Sequence, residues 1–334
     1  MKKFFPFVLS ALCVFALNSV SRSPAAPVKS GKRLRLAVIP KGTTHEFWKA
    51  IHAGAVKAQQ ELKAKGRDVE IIWKGPLKED DRNGQIDVVE NFRTQKVDGI
   101  ALAPLDAKAL ARPAEDAIKA GIPLVVFDSD LDSKLHASFI ATDNKKGGAL
   151  AAAHLAKLLN NKGRVILMRY QVGSASTENR EAGFLEGIKK FPNIKVISDN
   201  QHAGATRALA QTTAQNLLNR FGKEVDGIFT PNESSADGMQ LALKEAKLLG
   251  KVKFVGFDFS PTLNEGLKQK NIHGLVLQDP VKMCYLAVMT LVKVIDKQKV
   301  DKFIDTGVYI ATPDNMNTPQ MKDLMNPPID RYLK

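Results

Sequence analysis

From Leu34 onward the chain alternates short aliphatic and β-branched runs with longer stretches in which apolar residues recur every three or four positions. The short runs predict strands at Leu34–Ile39, Val69–Trp73, Gly99–Ala103, Leu124–Phe127, Ser138–Ala141, Val165–Met168, Lys195–Ile197, Gly227–Thr230, Phe254–Phe257 and Leu275–Leu277. The stretches between them predict helices, one with the stripe Phe47, Ile51, Ala55, Ala58 and Leu62. Strand and helix in strict alternation point to an α/β fold of parallel sheets covered by helices on both faces. Residues 312–334, rich in Pro and Asn, carry no clear period and are expected to wrap the surface as an irregular tail.

The same supersecondary unit is written twice. Val97-Asp98-Gly99-Ile100 opens a strand ending near Pro104, a helix follows, and the next strand reads Val125-Val126-Phe127-Asp128. Val225-Asp226-Gly227-Ile228 opens a strand ending near Pro231, and after a helix comes Val255-Gly256-Phe257-Asp258. First to last Asp is 30 residues in one copy and 32 in the other. Ligands of open parallel sheets bind beyond the carboxyl ends of the strands. Two Rossmann-like lobes facing each other would bring Asp128 and Asp258 to one cleft from opposite sides.

The 334-residue length fits two domains, and 44% hydrophobic with 25% charged residues is an ordinary globular balance. The first residues differ. Lys2 and Lys3, an apolar run from Phe4 to Leu17 and small residues around Ser23-Pro24-Ala25 form the pattern of a secretory signal peptide over residues 1–25. The run falls short of the roughly 20 residues that cross a bilayer, which disfavours a retained anchor. A lipid attachment at Cys13 is disfavoured by Leu12 before it and by the apolar sequence beyond. Cys13 leaves with the leader, so Cys284 alone remains and no internal disulfide forms. The formal charge of +14 falls to +11 without Lys2, Lys3 and Arg22. Its lysines are scattered singly along helices rather than clustered with aromatics, so a solvated basic surface is expected and no nucleic-acid partner.

The residues resemble the type I periplasmic binding proteins of ABC transporters, and most the ribose-binding branch, from about Arg33 to Asn317. The markers are Glu46-Phe47-Trp48, Phe127-Asp128-Ser129-Asp130, Ala141-Thr142-Asp143-Asn144, Asn179-Arg180-Glu181-Ala182-Gly183-Phe184, Thr230-Pro231-Asn232-Glu233, Val255-Gly256-Phe257-Asp258 and Leu277-Gln278-Asp279-Pro280. Each is short, but their order and spacing together are specific. The resemblance implies three crossings between lobes, near Thr142, Gln278 and Gly307. That gives an N-terminal lobe of residues 33–142 plus 279–306 and a C-terminal lobe of 143–278 plus 307–325.

It also implies a ligand site. Asp128 and Asp258 match carboxylates that bond sugar hydroxyls, although Asp at a strand end is also a common helix cap. Arg180 matches a sugar-binding arginine, or is a surface arginine among Glu178, Glu181 and Glu186. Asn232 and Gln278 match amides that donate and accept; either is otherwise a loop or hinge residue. Phe47 and Trp48 match a pair that stacks on the sugar ring, while Phe47 also fits the core stripe. Departures from the ribose pattern at His45, Ala103 and Ser129 leave the sugar open. His45 is expected either to bond a different hydroxyl pattern or to cap its helix, and Asp130 and Lys41 are further candidates for the pocket.

The expectation is an exported, monomeric periplasmic component of a sugar importer. It would bind a small neutral sugar or polyol by hinge closure and deliver it to an inner-membrane permease, without catalysis, metal or cofactor. The rivals are a receptor for a non-sugar polyol or signalling molecule and a carboxylate-pair glycosidase. A zinc helix motif fails because Lys49 stands where the second histidine belongs, and there is no glycine-rich dinucleotide or phosphate loop. A sugar-responsive repressor would carry a helix-turn-helix where the leader stands.

Overall fold

The computed structural model describes residues 1–4 and 33–333. The expected leader therefore lies, beyond its first four residues, outside the described residues. In chain order the elements are β1 (Leu34–Ile39), α1 (Glu46–Ala64), β2 (Val69–Trp73), α2 (Arg82–Thr94), β3 (Gly99–Leu102), α3 (Ala111–Lys119), β4 (Leu124–Phe127), β5 (Phe139–Ala141) and α4 (Asn144–Leu158). There follow β6 (Gly163–Arg169), α5 (Ala175–Ile188), β7 (Ile194–His202), α6 (Arg207–Phe221), β8 (Gly227–Phe229), α7 (Glu233–Glu245), β9 (Lys253–Phe257), α8 (Pro261–Lys268) and β10 (Gly274–Leu277). The chain ends with α9 (Pro280–Ile295), β11 (Phe303–Asp305), β12 (Tyr309–Ala311), α10 (Pro319–Met325) and α11 (Ile329–Tyr332). No helix among the described residues is long and apolar enough to cross a membrane.

The strands form two six-stranded sheets of matching order, β11-β5-β4-β3-β1-β2 and β12-β10-β9-β8-β6-β7. All pairings are parallel except that of β12 with β10. The central strands are buried on both faces, which is why they read as continuous apolar runs rather than alternating ones. The chain passes between sheets after β5, after β10 and between β11 and β12. At this seam Thr142 Oγ1 lies 3.4 Å from Thr306 Oγ1 and donates to the Gly307 carbonyl at 3.2 Å.

The repeated motif has a repeated structural role. Asp98 Oδ2 accepts from the Arg35 amide at 2.8 Å, and Asp226 Oδ2 accepts from the Arg164 amide at 2.7 Å. In each lobe this Asp ties the incoming strand to its neighbour. The motif's second Asp is thereby set at the far end of the next strand.

The α1 stripe lies in one apolar cluster with Met283, Cys284, Ala287, Val288 and Leu291 of α9. In the second lobe α4 and α5 pack at glycine distance. A Cβ on Gly148 would stand 1.9 Å from the Arg180 carbonyl, and one on Gly183 would stand 2.0 Å from that of Lys145.

The structure differs from the sequence reading at β7, at the C-terminal segment and at the three-residue strands β11 and β12, where no strand is expected. β7 runs on through Ser198-Asp199-Asn200-Gln201 to His202, because an edge strand pairs on one side only and tolerates polar residues on both faces. The C-terminal segment is also not irregular. Pro319 starts α10 at a position where its missing N–H costs nothing. Met321, Leu324 and Met325, at helical spacing, are then buried in the core of the second lobe. The Pro and Asn content masked a short amphipathic period.

Candidate ligand-binding site

The carboxyl ends of both sheets face one small cavity lined by Lys41, His45, Phe47, Trp48, Glu79 and Asp128 from the first lobe. Ser176, Thr177, Arg180, Asn232, Glu233, Asp258 and Gln278 line it from the second. The lobes are closed on it, leaving a cavity of only about 20 Å³. A larger cleft of about 850 Å³ between α8 and the C-terminal helices is open to solvent, and no buried charges converge there.

Asp128 and Asp258 end β4 and β9 with the backbone in the left-handed region, φ 63° and 70°. Short polar side chains tolerate that conformation better than others. It turns each chain at the strand end and leaves the carboxylate in the cavity. Asp128 Oδ2 stands 3.0 Å from Lys41 Nζ, and both side chains are 3% exposed. Lys41 also donates across the gap to Ser176 Oγ at 2.9 Å and Ser174 Oγ at 3.3 Å. Asp258 accepts from Gln278 Nε2 at 2.7 Å and from the Glu233 amide at 3.1 Å. Burial raises the Asp258 carboxyl against the pull of Arg180.

Arg180 is fully enclosed rather than on the surface. Its Nε donates to Asn144 Oδ1 at 2.8 Å and Nη1 to the Pro231 carbonyl at 2.9 Å, while Asp258 Oδ2 lies 3.8 Å away. The guanidinium stacks 3.9 Å over the Phe257 ring. Burial lowers its pKa, and Asp258 and Asp128 oppose that.

Phe47 and Trp48 occupy the first turn of α1, edge to face at 5.0 Å, and belong to the core cluster as well as to the cavity wall. Asn232 likewise does two things: it caps α7, its side chain accepting from the Ser235 amide, and it lines the cavity. Gln278 keeps Oε1 buried and without a hydrogen-bond partner among the described residues.

His45 does not cap α1 through its side chain. The ring instead sets Nδ1 2.6 Å from Glu79 Oε1. Burial would lower the imidazole, but the charge of Glu79 and its hydrogen bond outweigh that and raise it to about 9. Burial would raise Glu79, but His45, Lys41 and the Trp48 indole N–H hold it at about 2. Asp130 is not in the cavity. The turn at Asp128 sends Ser129 inward, where its Oγ accepts from the Ser176 amide at 3.0 Å. It leaves Asp130 exposed, accepting from the Leu131 amide.

The sequence reading missed Glu79, Glu233, Tyr170, Ser176 and Thr177. Glu79 is the hub of the first lobe's wall, accepting from Trp48 Nε1 at 2.8 Å and from the Tyr170 hydroxyl of the other lobe at 2.9 Å. It stands in Lys78-Glu79-Asp80-Asp81-Arg82, a run that reads as a solvated turn. Glu233 had a signal, since it follows Asn232 directly at the start of α7.

A model of the periplasmic binding protein domain matches residues 36–299. The D-allose-binding periplasmic protein of Escherichia coli is 31% identical over 276 residues, 80% of this chain and 86% of that one. The D-ribose/D-allose-binding protein of Pseudomonas aeruginosa is 26% identical over 91% of this chain and 97% of its own length. Among solved structures, a carbohydrate transporter solute-binding protein from Agrobacterium radiobacter in complex with D-arabinose is 35% identical, with a TM-score of 0.82 over 88% of this chain and 99% of that one. An ABC transporter solute-binding protein from Agrobacterium vitis with bound D-fucose is 34% identical, with a TM-score of 0.83 over 87% of this chain and 100% of that one. With two matched lobes, a shared cavity at their strand ends and a family model spanning most of the chain, this protein belongs to the periplasmic binding protein domain family.

Proposed function

We propose that the chain is the exported binding component of an ABC-type sugar importer, closing its lobes over one small neutral sugar or polyol. The carrying observation is the convergence of Asp128, Lys41, Asp258 and Arg180 on a cavity walled by Phe47 and Trp48. Acceptors and donors of both signs, together with the unpaired Gln278 Oε1, suit hydroxyl groups, which both donate and accept. The aromatic pair suits the apolar C–H face of a sugar ring. Relatives named for D-allose and D-ribose, and solved neighbours holding D-arabinose and D-fucose, support the ligand class.

The moving bodies in this reading are residues 33–142 plus 279–306 and residues 143–278 plus 307–325, hinged at the three crossings. Ligand contacts to both lobes supply the differential stability that favours the closed form. The protein is read as a monomer, secreted to the periplasm by cleavage of residues 1–25 and docking closed on an inner-membrane permease. Binding rather than catalysis is its role, and no metal or cofactor is called for.

The test is thermal unfolding of the mature protein across pentoses, hexoses, polyols and nucleosides, since a ligand of the folded state raises the melting temperature by mass action. A shift with a sugar that Asp258→Ala abolishes supports the reading. No shift with any sugar, or turnover of a glycoside by the wild type, overturns it.

A further inference from the structure

Helix α1 begins without a cap of its own. The amides of a helix's first turn have no partner inside the helix, and leaving them buried and unpaired is unfavourable. The residue placed to cap α1 is His45, whose side chain is committed to Glu79.

The cap comes from the opposite lobe. Glu233, 4% exposed, is the first residue of α7. Its Oε1 accepts from the Glu46 amide at 3.1 Å, and its Oε2 accepts from the Phe47 amide at 2.9 Å. It is held from behind, since its own amide donates to Asp258 Oδ2 and α7 is fixed by the Asn232–Ser235 capping box. Glu233 thus joins the turn that carries Phe47 and Trp48 to the turn that carries Asn232. Both bonds run between bodies that separate when the cleft opens, so they exist in the closed arrangement and vanish on opening.

We propose that Glu233 is a positioning residue and an interlobe latch: it caps α1 from the other lobe on closure, fixes the aromatic wall and favours the closed form whether or not a ligand is present. This rests on the reading that the lobes move, not on which sugar binds.

The test measures the separation of spin labels on Lys119→Cys in the first lobe and Lys195→Cys in the second, without sugar and with D-allose or D-arabinose. Three variants are compared with the wild type. Glu233→Gln turns an amide N–H₂, which cannot accept, onto one of the two donors, whereas both oxygens of the carboxyl accept even when it is protonated. Glu46→Pro removes one donor from the other lobe and leaves the cavity side chains untouched. Proline is favoured at the first helical position, and His45 already has the extended backbone a following proline requires (φ −80°, ψ 152°), so α1 is retained. Glu46→Ala keeps the amide.

Glu233→Gln and Glu46→Pro should each lower the ratio of closed to open form about fivefold to tenfold, the size of one lost hydrogen bond. Glu46→Ala should match the wild type. The Phe47 amide should exchange slowly in closed wild type and faster in Glu233→Gln at equal closure. Equal ratios in the wild type and Glu233→Gln overturn the latch, as does a wild type that never reaches the short separation. A sugar panel without thermal shifts would sink the transport reading separately, with the latch still read from the sugar-free distances.

Discussion

Asp128 and Asp258 are the same residue of one structural motif used twice, each ending a buried strand with a left-handed backbone and each presenting its carboxylate to the same cavity. That relationship separates what the backbone needs from what the ligand needs. Asn keeps the left-handed preference and the shape, so Asp258→Asn should fold with stability within about 1 kcal/mol of the wild type, whereas Asp128→Asn, which also leaves the Lys41 ammonium enclosed without its partner, should cost about 3–5 kcal/mol. Each should bind the sugar found in the thermal panel on the order of a hundredfold more weakly, since a charged acceptor contributes more than a neutral one. The Ala variants should lose a further ~1 kcal/mol of stability to backbone strain. Titration calorimetry and urea unfolding measure the two effects separately. Unchanged affinity in both Asn variants would remove these residues from the site.

Lys41 and Asp128 are buried together, and the pair should show strong coupling. Lys41→Met leaves the Asp128 carboxylate enclosed without its partner, which should destabilise the fold by about 3–5 kcal/mol. Adding Asp128→Asn should recover more than half of that loss. Strictly additive single and double variants would show that the contact contributes nothing beyond its parts.

Much of the fold is legible in the residues alone. The strand runs and the doubled Val-Asp-Gly-Ile unit identify the lobes, because strands buried on both faces leave unbroken apolar runs. Asp128, Asp258, Arg180, Asn232, Gln278, Phe47, Trp48 and His45 all reach the cavity wall. What escapes is set by tertiary context. Glu79 lies in a loop whose local sequence resembles any solvated turn, and only the fold brings His45, Trp48 and Tyr170 around it. Asp130 fails for the converse reason: the turn at Asp128 decides which of its neighbours point inward, and one residue of offset exposes it. β11 and β12 are three-residue edge strands, too short for any period to register.

Asp130→Ala should therefore bind the same sugar within about twofold of the wild type, as surface substitutions away from special features usually change little. A loss as large as that of Asp258→Asn would place Asp130 in the site after all.

The position of Arg180 depends on two glycines that face the other helix. A Cβ at Gly148 has to displace the Arg180 carbonyl, so α5 must shift or tilt. Gly148→Ala should cost about 1–3 kcal/mol in stability, the range for overpacking a tight contact. It should weaken sugar binding at least tenfold, although Gly148 touches no ligand. Lost stability with wild-type affinity would mean that α5 relaxes without moving Arg180.

The C-terminal segment offers a test of the second lobe's core. Leu324 lies in that core with Met321 and Met325. Leu324→Ala should lower stability by about 2–5 kcal/mol, as for other buried leucines. A change below ~0.5 kcal/mol would return the segment to the status of a surface tail.

Stability should also fall on the alkaline side, for a reason that can be assigned. His45 is raised from an ordinary 6.5 to about 9, so its contribution is complete below about 6.5 and is lost as pH rises through about 9. Its partner Glu79 is held at about 2 instead of 4.5, so that contribution is present above about 4.5 and lost as pH falls through about 2. The pair is at full strength between about pH 4.5 and 6.5. Glu233 acts in the same direction as His45. Burial pushes its carboxyl up to about 8 against the pull of His45 and the Phe47 amide. Stability from its protonated form therefore declines from about pH 4.5 and is gone above about 8. Urea midpoints measured from pH 5 to 10 should fall with pH in the wild type. His45→Gln should flatten the limb above about pH 6.5, and Glu233→Gln the part below about 8. The other buried groups facing this corner, Lys41, Asp258 and Asp237, remain in both variants. Curves for the two variants that run parallel to the wild type would place the origin of the alkaline limb elsewhere in the protein and refute a protonated His45 at neutral pH.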